Sequence, residues 1–436
     1  MNETGNNTIL INGVTLIHPG HKWHLKQIYL NLNSDGTIGF DRKYTVPITP
    51  KFYTIDGSEY CVSAGWFDMR MRVGEPGHES RETIHSACAA GAAGGFTGMA
   101  CLPETSPVVQ TKESVQFLAK GSDDKVSRIY PIGAVTRNLE GKELTDMLDL
   151  HNAGAVAFSD GTNPITNPDI LYKTLLYLRH ADALLMQRAE DPYLAKFGQM
   201  HEGNASTLLG MKGIPSLAEE LMIARDLKLL AHAGGRLHFS TLSTAEGVAL
   251  IRKAKAEGLK VTADVAVHQL AFTDEDLDTF DTDLKASPPF RSETDRQALL
   301  AGLADGTIDV IVSDHTPLDT ESKMLEFDLA SPGQASLETF YAVARKHTHG
   351  FLDEAALIEK FSLAPRRILG LPIPDFSPGS VADFTLFKPD LEFVYNRAGR
   401  QTLGVNSPFF GKVLKGLPVL TVRGNFRAFN LSLTDI

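Results

Sequence analysis

The sequence predicts an α/β fold: a (β/α)8 TIM barrel carrying a small β-sandwich domain formed from both chain ends. Three observations lead there. Between residues 61 and 369, short apolar runs alternate with segments of helical period, the pattern of a parallel barrel. The two ends, 1–60 and 370–436, read as short strands separated by turn residues such as Asn33-Ser34-Asp35-Gly36. The length, 436 residues, suits a barrel of about 250 residues plus an accessory domain.

Taken in order, the N-terminal end offers strands at Thr8–Leu10, Val14–Ile17, Gln27–Leu32 and Thr37–Phe40. The barrel strands are predicted at Val62–Phe67, Thr97–Cys101, Ile129–Ala134, Ala155–Phe158, Ala183–Met186, Arg236–Phe239, Lys260–Asp264 and Asp309–Val312. Helices are predicted at Glu79–Ala93, Leu139–Ala153, Asp169–Ala181, Ser216–Leu229, Thr244–Glu257, Glu293–Asp305 and Ser336–His347. Short strand runs return from Ala382 onwards, so the two ends are expected to meet in one domain.

Composition narrows the function. Net charge is −11, which disfavours nucleic acid and anionic membrane surfaces as partners. The three cysteines show no paired spacing, which fits a reducing compartment and leaves no Cys-based zinc cluster. The first residues lack the order of a secretory signal, and no apolar run reaches the roughly 18 residues of a membrane span. A cytoplasmic location is the expectation.

In such a barrel, chemistry gathers where strands end. Val62–Gly77 ends in Asp68, Arg70 and Arg72, alternate positions that share one side of an extended chain. Further acidic residues follow later strand runs: Asp160 in Phe158-Ser-Asp-Gly161, and Asp314 in Asp314-His315.

At this point motifs accumulate. They are Gly65-Trp-Phe-Asp68 through Glu75-Pro-Gly-His-Glu79, Leu102-Pro-Glu-Thr105, Ala189-Glu-Asp191, Pro288-Pro289-Phe-Arg291 and Asp305-Gly-Thr-Ile-Asp309, with several shorter ones between. By these the chain resembles the dihydroorotases of the amidohydrolase superfamily, the type associated with aspartate transcarbamoylase. The resemblance spans nearly the whole length. It implies a barrel with a small β-sandwich, and a hydrolysis that uses zinc to polarise a ring carbonyl and activate water.

Carried over position by position, the resemblance also implies losses. The metal-ligand histidines are replaced by Arg70, Arg72, Arg188 and Thr241, while Asp160 and Asp314 remain. The substrate-holding positions hold Gly74, Glu104, Ser287 and Leu318. Arginine is always protonated and cannot ligate a cation. Three expectations stand side by side. One is a dihydroorotase-like protein of pyrimidine biosynthesis that has lost zinc-dependent hydrolysis. It would need no cofactor and persist as a structural or regulatory homologue, a homodimer beside aspartate transcarbamoylase, with Asp314 as a residual catalytic group. The second is an active hydrolase opening dihydroorotate to carbamoyl aspartate, with metal held by Asp160 and Asp314. The third is a sensor whose arginines capture an anionic pyrimidine intermediate.

Each feature has a plainer alternative. Arg70, Arg72 and Arg188 are expected to neutralise Asp68, Asp160 and Asp314, because an unpaired buried carboxylate is costly. His315, His238 and His268 read as packed histidines, and Cys88 and Cys101 as inert buried thiols. His18, His21 and His24 form a loose cluster that only weakly suggests metal. The acidic run from Asp274 to Asp283 reads as a solvated helix start.

Overall fold

The computed structural model describes residues 8–21, 24–40 and 52–431. The stretches 1–7, 22–23, 41–51 and 432–436 lie outside the described residues. Parts of the expected end segments and the centre of the histidine cluster, Lys22-Trp23, fall there.

Eight parallel strands, each joined to its neighbours in sequence order, form the barrel. They are β1 Trp66–Met71, β2 Phe96–Cys101, β3 Arg128–Gly133 and β4 Ala157–Phe158, then β5 Leu184–Arg188, β6 Arg236–Ser240, β7 Val261–Ala266 and β8 Val310–Val312. The backbone ladder runs from β1 to β8 and is completed at the strand ends. Arg72 N donates to His315 O at 2.9 Å, and Met71 and His315 form a parallel bridge.

Side chains divide by face, as the alternation of a strand requires, except in β1, whose register against β2 shifts between Asp68 and Met71 and breaks the alternation there. Phe67, Met69, Ala100, Ile132, Met186 and Val312 fill the barrel interior, while Trp66, Phe96, Leu237 and Phe239 face the helices. The second ring of elements is helical. Thr83 caps Ile84–Ala93 through a reciprocal bond with Ser86, and Glu75 Oε2 takes the Ile84 amide at 2.8 Å. That cap starts the helix later than the pattern at Glu79 indicates. The helix expected over Leu139–Ala153 shrinks to Met147–Asn152, because the chain turns through positive φ at Asn138, Leu139 and Gly141. The acidic run becomes two short 3₁₀ turns, Asp274–Leu277 and Thr282–Leu284.

The chain ends build one eight-stranded sheet around its own core of Ile9, Ile11, Leu30, Val62, Phe384 and Leu420. The strand expected over Val62–Phe67 is two strands meeting at Gly65. Cys61–Ala64 pairs in parallel with Thr15–Ile17 and antiparallel with Phe384–Phe387, so it stitches the two chain ends together. Trp66 then enters the barrel. Among the described residues, no helix is long and apolar enough to cross a membrane.

Gly65 sits where the two sheets part. A Cβ there would lie 2.0 Å from Asp383 Oδ1 and 2.2 Å from Thr97 Oγ1. Those groups are bonded to each other at 2.6 Å and held by the buried Arg366. Gly65→Ala is therefore expected to destabilise the protein by about 1–3 kcal/mol through overpacking, read as a lower urea midpoint at unchanged slope.

Candidate functional site

β1 delivers its polar residues to the barrel mouth, but they do not share one partner. Asp68 accepts the Ser313 amide at 2.9 Å and the Ser313 hydroxyl, both just after β8. Arg70, fully buried, places Nε 2.7 Å from Asp314 Oδ1. Arg72 lies past the strand end and leans towards β2, where its Nε is 3.0 Å from Glu104 Oε2.

The expected pairing of Arg70, Arg72 and Arg188 with Asp68, Asp160 and Asp314 therefore forms only once, between Arg70 and Asp314. Arg188, at the end of β5, bonds Glu190 at 3.0 Å and both the carbonyl and hydroxyl of Ser287 at 3.0 Å. Asp160 faces the backbone after β3: it accepts the Val135 amide at 3.0 Å, the Thr136 amide at 2.9 Å and the Thr136 hydroxyl. The reason is local. A carboxylate within reach of two orphan amides is satisfied there without crossing the barrel.

The remaining positions are also engaged. Thr241 holds φ at +56°, gives its amide to Asp264 Oδ1 at 2.6 Å and its hydroxyl to Ser240 O at 2.8 Å. Gly74 lies in a tight turn where a Cβ would come within 2.0 Å of His78 O, so no larger residue fits this backbone. Glu104 also takes the amide and hydroxyl of Thr162. Leu318 is buried, with its amide on Asn406 Oδ1 at 2.9 Å.

The histidines separate. His238 lies between Thr262 Oγ1 and Asp264 Oδ2, each at 2.8 Å. His315 takes the Ser336 amide on Nδ1 at 3.1 Å and turns Nε2 to Glu82 at 3.3 Å. His268 lies in the turn after β7, 3.8 Å from Asp314 Oδ2. His24 accepts the His18 amide on Nδ1 at 3.2 Å and so serves a loop. Among the described residues, no group of three or more His, Cys, Asp or Glu is placed to hold a metal ion. Burial pushes the Cys88 and Cys101 thiols up to about 12, far from the reactive thiolate.

Several participants lie outside the sequence-based candidates, among them Glu190, Asp264, Thr162, Ser313 and Thr136. Glu190 does carry a signal: it lies in the Ala189-Glu-Asp191 motif and stands two residues from Arg188, on the same side of an extended chain. Asp264, Thr162, Ser313 and Thr136 carry none, because their partners are remote in sequence.

The electrostatics follow burial and pairing. Burial alone would raise Asp314, yet Arg70, His268 and Arg72 hold it below the ordinary carboxylate value. Glu104 is likewise held low, with Arg72 and Thr162 outweighing burial. Among the described residues Asp68 has no cationic partner: burial, assisted by Asp314, raises it to about 7 against two bonds from Ser313 and one from the Arg70 amide. Asp160 rises to about 6 for the same first reason. Asp314 also carries φ of +48°, so strained backbone stands at the ends of both β6 and β8. The mouth is thus a ring of charge-paired and amide-satisfied groups, able to bind through guanidinium N–H donors.

A family model described as Dihydro-orotase-like matches residues 61–247. A dihydroorotase from Pelotomaculum thermopropionicum is 42% identical, with 95% of this chain and 97% of that protein covered. One from Syntrophus aciditrophicus is 41% identical, with 82% of this chain and 84% of that protein covered. Among solved structures, the L-hydantoinase (dihydropyrimidinase) of Arthrobacter aurescens superposes with a TM-score of 0.81 at 22% identity, covering 95% of this chain and 94% of that one. The D-hydantoinase of a Thermus species gives 0.79 at 18% identity, covering 97% and 95%. These structural likenesses speak for the fold alone: a barrel with a small sheet domain from the chain ends.

Two outcomes are expected. Arg70→Met strands Asp314 as a buried charge and costs about 3–5 kcal/mol in chemical denaturation, whereas adding Asp314→Leu recovers most of that loss. For Asp68, the folded value near 7 lies above the ordinary 3.8, so the folded state holds the proton more tightly. Its contribution to stability falls as pH rises between those values. Asp68→Asn keeps the bond from the Ser313 amide, reverses the direction of the one with the Ser313 hydroxyl, and removes this pH dependence, so its melting temperature relative to the parent should climb from pH 4 to pH 7.

Proposed function

The chain belongs to the dihydroorotase family, and from that premise we propose that it has lost zinc-dependent hydrolysis and serves as a structural or regulatory homologue in pyrimidine biosynthesis. The observation that carries the reading is the 2.7 Å bond from Arg70 to Asp314. It commits the carboxylate that the family resemblance assigns to zinc and to proton transfer.

The donor set does not fit the family's metal. Arg70, Arg72 and Arg188 carry no lone pair for a cation. The Thr241 hydroxyl is spent on a backbone carbonyl, and Asp160 on backbone amides and a hydroxyl. The positions that would seat the substrate are altered as well: Gly74 cannot clamp a carboxylate, Glu104 is tied to Arg72 and Thr162, and Ser287 is held by Arg188.

What remains is the scaffold. The expected setting is a cytoplasmic homodimer beside aspartate transcarbamoylase, in keeping with the type of dihydroorotase the sequence resembles. A shared sedimenting complex with that enzyme supports the partnership, and independent sedimentation at micromolar concentrations speaks against it. For the chemistry, the purified protein incubated with zinc should retain far less than one equivalent and hydrolyse dihydroorotate no faster than a buffer blank. Stoichiometric zinc, with turnover abolished by Asp314→Ala, establishes an active hydrolase instead.

A further inference from the structure

One corner of the barrel mouth concentrates polar atoms without protein partners. Among the described residues, Nη1 and Nη2 of Arg70 and both ring nitrogens of His268 make no hydrogen bond. Arg70 is fully buried and His268 is 1% exposed. They flank the same carboxylate, Arg70 at 2.7 Å from Oδ1 of Asp314 and His268 at 3.8 Å from Oδ2. Buried polar groups are almost always satisfied, and unmet donors on a charged group are the costliest exceptions. Two such side chains against one carboxylate form a site that lacks an acceptor.

The geometry of the donors specifies what is missing. With Nε given to Asp314, the far edge of the guanidinium still presents parallel N–H groups. Two oxygens in one plane satisfy that edge together, as in bidentate arginine–carboxylate pairs, whereas a single carbonyl oxygen does not. His268 adds one ring N–H from the side. We propose that this corner binds a small planar oxyanion, such as a carboxylate, across Nη1 and Nη2 of Arg70 with His268 as a further donor. The site rests on the reading that arginine, and not metal, occupies the strand ends.

Access is narrow. The orphan nitrogens are sealed from solvent, and the partly exposed side chains beside them are Asp314, which keeps 9% of its surface, and Arg72, which keeps 29%. The ligand is therefore small, and with Asp314 alongside its affinity is weak, in the millimolar range.

Acetate and its neutral isostere acetamide are the probes, titrated at constant ionic strength with chloride as the balancing anion and read by melting temperature and calorimetry. Acetate should stabilise the full chain saturably, and acetamide should not. Arg70→Lys keeps a cation beside Asp314 but removes the planar edge, so acetate affinity should drop by about tenfold or more. His268→Phe removes the other orphan donor together with the unpaired second ring nitrogen: the ligand-free protein should melt higher, and acetate should bind several-fold more weakly. The proposal is overturned by any of three results: no saturable response to acetate, an equal response to acetamide, or undiminished acetate binding in Arg70→Lys. Dihydroorotate turnover, measured on the same wild-type sample, bears only on the loss of hydrolysis and leaves the anion result separately readable.

Discussion

The contact between Arg70 and Asp314 is the constraint on which the barrel mouth depends. A guanidinium with no exposed surface is tolerable only beside an opposite charge, and among the described residues Asp314 is the one carboxylate it touches. The pair spans the seam between the first and last barrel strands. Asp68 reinforces the seam by taking the Ser313 backbone, and the Arg72 amide closes it on His315. One set of groups thus balances charge and joins the two ends of the strand ladder. Burying an ion pair seldom adds net stability, but breaking one is expensive, so the pair acts as a specification of geometry.

Around that contact, each carboxylate has found a separate solution. Asp160 is held by backbone amides after β3, Glu104 by Arg72 and Thr162, and Glu82 by the Leu403 amide, Thr402 and His315. Local donors win because they are already unsatisfied at strand ends and loop starts. A cross-barrel pairing would have to order long side chains over a greater distance for the same bond. The dihydroorotase scaffold therefore survives with its acidic residues buried, although arginine stands at positions where the resemblance implies histidine.

Much of this was legible in the sequence. The alternation of apolar runs and amphipathic segments marked the barrel, and all eight strand runs have counterparts within a few residues. The polar end of the first strand stood out because Asp68, Arg70 and Arg72 interrupt an apolar run. What was not legible were the partners. Arg72 and Glu104 are joined just past the ends of β1 and β2, Arg188 at the end of β5 is joined to Ser287 in the loop after β7, and no periodicity encodes such distances. The helix at Leu139–Ala153 shortened for a similar reason: backbone turns at Asn138 and Gly141 overrode a favourable pattern. The strand over Val62–Phe67 divided at Gly65 because two sheets compete for one apolar run.

By itself the sequence determined the class of fold, the membership of the family and the chemical character of the strand ends, since periodicity and residue type are local properties. Only the tertiary structure decided which cation meets which carboxylate. That choice depends on strand register and on the direction a side chain leaves the backbone. Three arginines and three aspartates permit several pairings on paper. Barrel closure brings Asp314 to Arg70 and turns Asp68 and Asp160 towards backbone amides. It also leaves the far edge of a buried guanidinium, and a histidine beside it, without an acceptor from the protein.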